Sequence, residues 1–474
     1  MNMLNLKLIR DLIHLRGQLL ALSLVVACGI AVYVTMRSTY DSLTSTLNSY
    51  YTNYRFADIF VSLKRAPEST KVRIQNIPGI TFVESRIVFE VTLDLPGLKE
   101  PAIGRLVSVP ENGMPEVNRL FLLQGRYLDP GAHNEVLVSE AFASANRLQV
   151  GNSISAIMNG KYQKLQIVGF ALSPEYIYEI RGAEILPDNR RFGVLWMSRR
   201  VLESSFDMEG AFNDLALTVS KGASQPIIIS EVDRILEPYG GLGACGRNDQ
   251  ISHYFISGEI DETKVTAVLI PAIFLGVAAF LVNIILTRLI GTQRSQIAVL
   301  KAFGYHNTSI GMHYLKLAMT SVVAGTALGI IGGILLGKML SGVYERFFHF
   351  PALNYDVSLA VVILTICISA GSAGIGAVSA VVRAIRIAPA EGIRPEPPAV
   401  FRAGLFERLG FQKILSITSR MILRNIERRP TKAFLSILGM AFAIAILVTG
   451  RYFFDAIERI VEVQFGNVQQ EDVS

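Results

Sequence analysis

The side chains able to do chemistry are few here, and their spacing does not assemble a catalytic set. Six histidines are scattered without an HExxH pair, and Cys28, Cys245 and Cys367 form neither a CxxC motif nor a disulfide framework. No metal site is expected from such spacing. Gly160-Lys161 is followed by Tyr162 and lacks the upstream glycine of a phosphate-binding loop, so the chain is not expected to hydrolyse nucleotides by itself. No Ser/His/Asp grouping or carboxylate pair demands catalysis, and no catalytic residue or cofactor is assigned. Ser173–Ile180, SPEYIYEI, is a dense polar-aromatic group. Glu175, Tyr176 and Tyr178 could face a substrate or partner there; a strand or loop packing its own tyrosines is the plainer alternative.

A different chemistry, that of charge beside a membrane, is written into Arg288–Ser309, RLIGTQRSQIAVLKAFGYHNTS. It carries Arg288, Arg294 and Lys301 without one acidic residue, between the apolar runs Val265–Thr287 and Leu317–Gly337. Positive charge next to crossings predicts the cytoplasmic side. Ser295 to Phe303 reads as one short helix, with Ile297, Leu300 and Lys301 at neighbouring spacings and Gly304 as its stop.

The elements that must position this segment follow from how apolar residues are bunched. The chain has 474 residues, 51% of them apolar, and a net charge of +6. Its mean hydropathy is +0.40 and its pI about 9.1. The basic residues sit beside apolar runs rather than in one patch, which argues for membrane orientation and against nucleic acid. Residues 1–18 interleave Lys7, Arg10, His14 and Arg16 with leucines and isoleucines, as a helix lying on the inner membrane surface would.

A first crossing over 19–36 follows. Val25 to Gly29 resembles a lipoprotein cleavage box, but the apolar run continues eight residues past Cys28, which favours a retained helix. Residues 38–264 alternate short strand-like runs with a few helical stretches, predicting an external α+β domain. Crossings are expected at 265–287, 314–343, 359–382 and 433–450. The basic loop 288–310 and the segment 383–432, with its linker and second amphipathic helix, would lie inside. The short loop 344–357 and the final residues 451–474 would lie outside. Segment 383–432 holds eleven basic against four acidic residues, whereas 344–357 holds one against two. The expectation is a polytopic α-helical membrane protein with five crossings and one large extracytoplasmic α+β domain.

Two patterns refine that architecture. Gly325, Gly329, Gly333 and Gly337 recur every fourth residue in the third crossing, a face suited to close helix packing, with Gly371, Gly374 and Gly376 of the fourth as one source of a partner face. The end of the chain also repeats its beginning: Lys7, Arg16 and Ser23 match Arg420, Arg429 and Ser436 at a constant offset. A second external domain is therefore expected to start within 451–474, and the chain reads as part of a longer two-module protein or one that pairs with a second copy. No charged side chain interrupts the five apolar runs, unlike ion-coupled carriers.

Together these features resemble the FtsX-like, MacB-type permeases of ABC transporters, the mechanotransmission class. Gly125-Arg126, Glu135–Ser139, Gly151–Ile154 and Val168-Gly169 look like the MacB-like periplasmic core pattern of that family. Arg294, Ile297, Leu300, Lys301 and Gly304 look like its coupling helix, and Pro389–Arg394 like the segment closing the four-helix module. Asn152 stands where an aspartate is common, and the fifth crossing exceeds the usual single module. The resemblance implies a bacterial inner-membrane subunit with its N-terminus in the cytoplasm. It would bind no ATP itself and would transmit movement from a separate ABC ATPase dimer to its external domain. Its work would be export or extraction of a lipid, lipoprotein, peptide or drug-like substrate. The alternative is a regulatory subunit controlling an external partner such as a cell-wall hydrolase. Membrane lipids, a second permease module or copy and a membrane-fusion protein are further implied partners.

Overall fold

The computed structural model describes residues 3–95, 98, 100–182, 186–390 and 430–463. In chain order the helices are α1 (Met3–His14), α2 (Arg16–Asn53), α3 (Ser69–Gln75), α4 (Glu140–Ala145), α5 (Arg199–Ser205), α6 (Gln225–Leu236), α7 (Ile251–Thr292), α8 (Arg294–Ala302), α9 (Asn307–Phe347), α10 (Leu359–Arg386) and α11 (Pro430–Val463). The strands are β1 (Ile59–Pro67), β2 (Ile80–Arg86), β3 (Val88–Asp94), β4 (Ala102–Val109), β5 (Phe121–Gly125), β6 (Glu135–Ser139), β7 (Ser153–Met158), β8 (Lys161–Leu172), β9 (Phe192–Ser198), β10 (Ala211–Val219) and β11 (Gly241–Gly246). They form two compact units. One takes the described residues of Met1–Tyr33, Leu269–Gly332 and Val362–Ser474; the other takes those of Val34–Val268 and Gly333–Val361.

The first unit is helical. Among the described residues, α2, α7, α9 and α10 are long and apolar enough to cross a membrane. A helix satisfies its own backbone groups, so it can run through hydrocarbon where an open strand cannot. Exposed Val323, Leu328 and Ile331 on α9 and Ile375 and Val378 on α10 give these helices the apolar outer faces that lipid requires. The fifth apolar run lies in α11. The linker with its second amphipathic helix lies outside the described residues, as do residues 464–474 of the expected start of a second external domain, whereas 451–463 continue α11.

The second unit is the α+β domain. Antiparallel strands in the order β11-β1-β10-β2 make a four-stranded sheet. Its apolar face (Ile59, Val61, Phe212, Leu215) packs with Ile74 of α3 and Ile228 and Val232 of α6. A second sheet runs β5-β8-β6-β9-β4-β3-β7, and β7 also pairs with β8, closing six strands into a barrel. Alternation sends Leu93, Leu106, Val136, Val138, Ile154 and Leu195 into one core with Phe142 of α4. At the mouth of β5, Gly125 has φ +86°, and a Cβ there would lie 2.3 Å from the Val168 carbonyl oxygen. Only glycine fits.

This unit also contains the parts of the long helices that lie beyond the expected crossings. The crossings were expected over 19–36, with a polar helix beyond the first, and over 265–287; α2 runs unbroken to Asn53 and α7 starts at Ile251. Hydropathy marks the stretch that suits lipid, whereas helical hydrogen bonds continue as long as the next side chains find something to pack on. Here they do: Leu43, Leu47, Tyr50 and Tyr51 of α2 share a core with Ile256 of α7, Tyr344 of α9 and the domain residues Phe56, Ile177 and Tyr178.

Candidate functional site

The basic segment singled out by sequence folds as α8. Ile297 and Ala298 are buried, Leu300 is half-buried, and Arg294 opens the helix half-exposed. The end is a Schellman turn: Gly304 N–H donates to the Lys301 carbonyl at 3.0 Å and Tyr305 N–H to that of Leu300 at 3.1 Å. Gly304 has φ +88°, the left-handed position this motif needs. Lys301 turns back into the unit, and its Nζ donates to the carbonyls of Ile385 and Ile387 at 2.6 and 2.8 Å. It therefore satisfies acceptors at the end of α10, where a cation also suits the helix dipole. The outward face is left to Ser295, Gln296, Val299, Ala302 and Phe303. Phe303 is 80% exposed, an unusual position for a phenylalanine outside lipid.

Two residues missed by sequence reasoning hold the entry to α8. Asp11 of α1 is buried, and its Oδ1 accepts from Gln293 Nε2 at 2.9 Å. Its Oδ2 takes the Lys7 ammonium at 2.6 Å and faces His313 Nε2 at 3.3 Å. Gln293 Oε1 in turn accepts from Lys7 at 2.7 Å and from the Tyr314 hydroxyl at 3.0 Å. Burial alone would raise the Asp11 carboxyl, but the bonds from His313, Lys7 and Gln293 outweigh it and hold it at about 2. The signal was present: Asp11 is the only acid among residues 1–18, four places after Lys7.

The glycine face of α9 packs as follows. A Cβ on Gly325 would lie 2.5 Å from the Ser23 carbonyl oxygen, and one on Gly329 would lie 2.8 Å from that of Ala27. Their partner is thus α2 rather than α10. On α10, Gly371 and Gly374 have nothing within 4 Å, while Gly376 approaches the Ala279 carbonyl of α7. In the second unit, the Gly333 carbonyl accepts from Thr35 Oγ1 at 3.1 Å, and Gly337 lies against the ring of Tyr355.

The external residues proposed to meet a partner are interior. Glu175 is buried and accepts from both terminal guanidinium nitrogens of Arg86, with Asn118 Nδ2 donating at 2.6 Å. Arg86 Nε also donates to Asp214 Oδ1 at 2.7 Å, so one buried cation joins β2 and β10 to the turn after β8. Burial would lower the Arg86 pKa, but Asp214 and Glu175 reverse that and keep it charged. Half-buried Tyr176 meets Trp196 edge-on, and Tyr178 packs on Phe255 and Phe348. Glu175 and Tyr178 are buried and Tyr176 is half-buried against Trp196, which corrects the contact-surface reading: the ion cluster and the aromatic contacts already occupy them. Nearby Glu179 is buried too, and burial pushes its carboxyl to about 8 against the bond from the Ser139 hydroxyl.

Residues 268–389 match the family described as FtsX-like permease C-terminal. The match covers 122 of the 474 residues, from α7 to α10, so this stretch of the chain is similar to the C-terminal part of an FtsX-like permease. Similar solved structures include the extracellular domain of the noncanonic ABC-type transporter YknZ from Gram-positive bacteria. It is 14% identical with a TM-score of 0.27, covering 39% of this chain and 97% of that one. The periplasmic region of MacB from Actinobacillus actinomycetemcomitans is 11% identical with a TM-score of 0.28, covering 45% and 97%. A permease-protein domain from Porphyromonas gingivalis is 11% identical with a TM-score of 0.25, covering 40% and 90%. No curated protein matches the chain.

Proposed function

We propose that this chain transmits ATP-driven movement from a separate ABC ATPase dimer to its extracytoplasmic domain, for export or extraction of a substrate such as a lipid, lipoprotein or peptide. The observation that carries this is the state of α8. Its inner face is packed through Ile297 and Ala298 and clamped by Lys301, while its outer face presents Val299 and Phe303 beside small and polar residues. A helix held firmly on one side and apolar on the other suits receiving a push from a partner. In this reading Val299 and Phe303 meet the ATPase, and Lys301 makes α8 and α10 move as one. The N-terminus and α8 lie in the cytoplasm of a bacterial cell, and the ATPase supplies the hydrolysis. Movement passes along α2, α7 and α9, each an unbroken helix contributing to both units.

The test is Phe303→Asp in the full chain reconstituted with its ATPase. A buried charge in place of an aromatic anchor is expected to weaken association and stimulated ATP turnover about 30-fold or more. Gln296→Ala, on the same face, is expected to do little. Unchanged turnover and co-purification with Phe303→Asp would remove α8 as the docking element.

A further inference from the structure

Helix α1 is built the wrong way round for a soluble protein. Its ion pair, Lys7 with Asp11, faces inward, while Met3, Leu6, Ile9 and Ile13 form the exposed stripe. Arg10, His14 and Arg16 are exposed as well. At helical spacing these residues share one side, apolar in the middle and basic at its edge. An exposed stripe of four large apolar side chains with cations beside it fits a lipid headgroup and acyl boundary, best an anionic one.

The inward side is where α1 touches the segment that matters. Asp11 bonds Gln293, the residue immediately before α8, and faces His313 in the second turn of α9. Gln293 occupies the N-cap of α8 yet makes no side-chain cap bond to that helix; its amide is spent on Asp11, Lys7 and Tyr314. The carboxylate therefore ties α1 to the chain on both sides of α8. A closed ring of charge-assisted bonds in a buried place holds geometry well, because losing one member leaves the others unsatisfied.

We infer that α1 is a lipid-seated anchor for α8 and that Asp11 is the positioning residue that fastens the two. The membrane surface is thereby the reference against which α8 is placed, and a push on α8 must also move α1 within the headgroup layer. This inference rests on the docking role given to α8 above.

The test uses the full chain with its ATPase in vesicles containing anionic lipid. Spin labels replace exposed Arg10 and Gln296 in a background lacking the native cysteines, and their separation is read by pulsed EPR. The unaltered ring is expected to give one narrow distance. Asp11→Asn, which keeps the shape and removes the charge, is expected to broaden it. In the label-free chain the same change is expected to lower maximal stimulated ATP turnover about fivefold with the KM for ATP unchanged. Gln293→Leu removes the other half of the ring and should broaden the distance in the same way, which covers the case of an Asp11 variant that fails to insert. A narrow distance with full turnover in both variants overturns the anchor. Phe303→Asp separates the two readings. If it abolishes stimulation while the Asp11 and Gln293 variants do nothing, only the anchor falls. If Phe303→Asp is also silent, the docking role falls and the anchor with it.

Discussion

The helical unit and the α+β unit bury polar groups in contrasting ways. In the helical unit the hydroxyl and amide groups bond to backbone: Ser23 to the Leu19 and Ser321 carbonyls, Asn283 to that of Gly376 and Ser372 to that of Leu275. Its helices approach through glycine, and among the described residues its buried ionic bonds gather at α1, beside α8. In the α+β unit, Arg86 is enclosed with Glu175 and Asp214 in the middle of the domain. The difference follows from what drives each to pack. Between lipid and a helix bundle there is little hydrophobic gain, so close backbone contact and short polar bonds do the holding. In water the sheets already have an apolar drive, and a charge can be enclosed if each of its donors and acceptors is matched.

The contrast can be broken most severely at Arg86. Arg86→Met removes the cation and leaves two carboxylates in the interior. It is expected to destabilise the α+β unit by about 3–5 kcal/mol. Thermal unfolding of the full chain in detergent, followed by proteolysis of the external domain, would register it. A melt equal to that of the parent would show that the enclosed ions contribute nothing.

The helical unit should be most sensitive to bulk rather than charge. Gly325→Leu forces a side chain into the Ser23 carbonyl and is expected to cost about 3 kcal/mol, whereas Gly371→Leu, with open space around it, should cost little. Helix association of the two variants in detergent, read by thermal aggregation, distinguishes them. Equal behaviour would mean that the α2–α9 approach is not tight.

A smaller effect, and one that depends on pH, is expected at Glu179. Its folded pKa of about 8 lies above the ordinary carboxyl value of 4.5, so the folded state keeps a proton that the unfolded state releases. Stability therefore falls as pH rises from about 4.5 to 8. Glu179→Gln should flatten that slope, giving a gain in stability at pH 8 that is absent at pH 4. Parallel melting curves across that range would show the carboxyl to be hydrated.

Much of this was legible from residue order. Period-two runs such as Glu135–Ser139 are strands, and Pro226–Leu236 falls in α6, because alternation and helix periodicity report local burial directly. The helix before Gly304 was legible for the same reason, since the glycine stop is a local backbone requirement. The roles of side chains within it were not. Lys301 reads as a cation for a partner until the end of α10, more than eighty residues later, is seen to take its three-donor head. Glu175 reads as an exposed acid until Arg86, 89 residues away, encloses it. Asp11 and Phe303 were passed over because one acid in a basic helix and one aromatic after an alanine mean little until their surroundings are known.

The sequence alone determined which stretches could lie in lipid, which had to form strands, and where the basic segment turns, because hydropathy, alternation and a left-handed glycine act within a few residues. Tertiary structure decided which face of α8 remains outward, which helix receives the α9 glycines, and which carboxylates are enclosed. Those outcomes depend on partners brought together from distant parts of the chain, and whether a charge is buried or free is set by the partners that surround it.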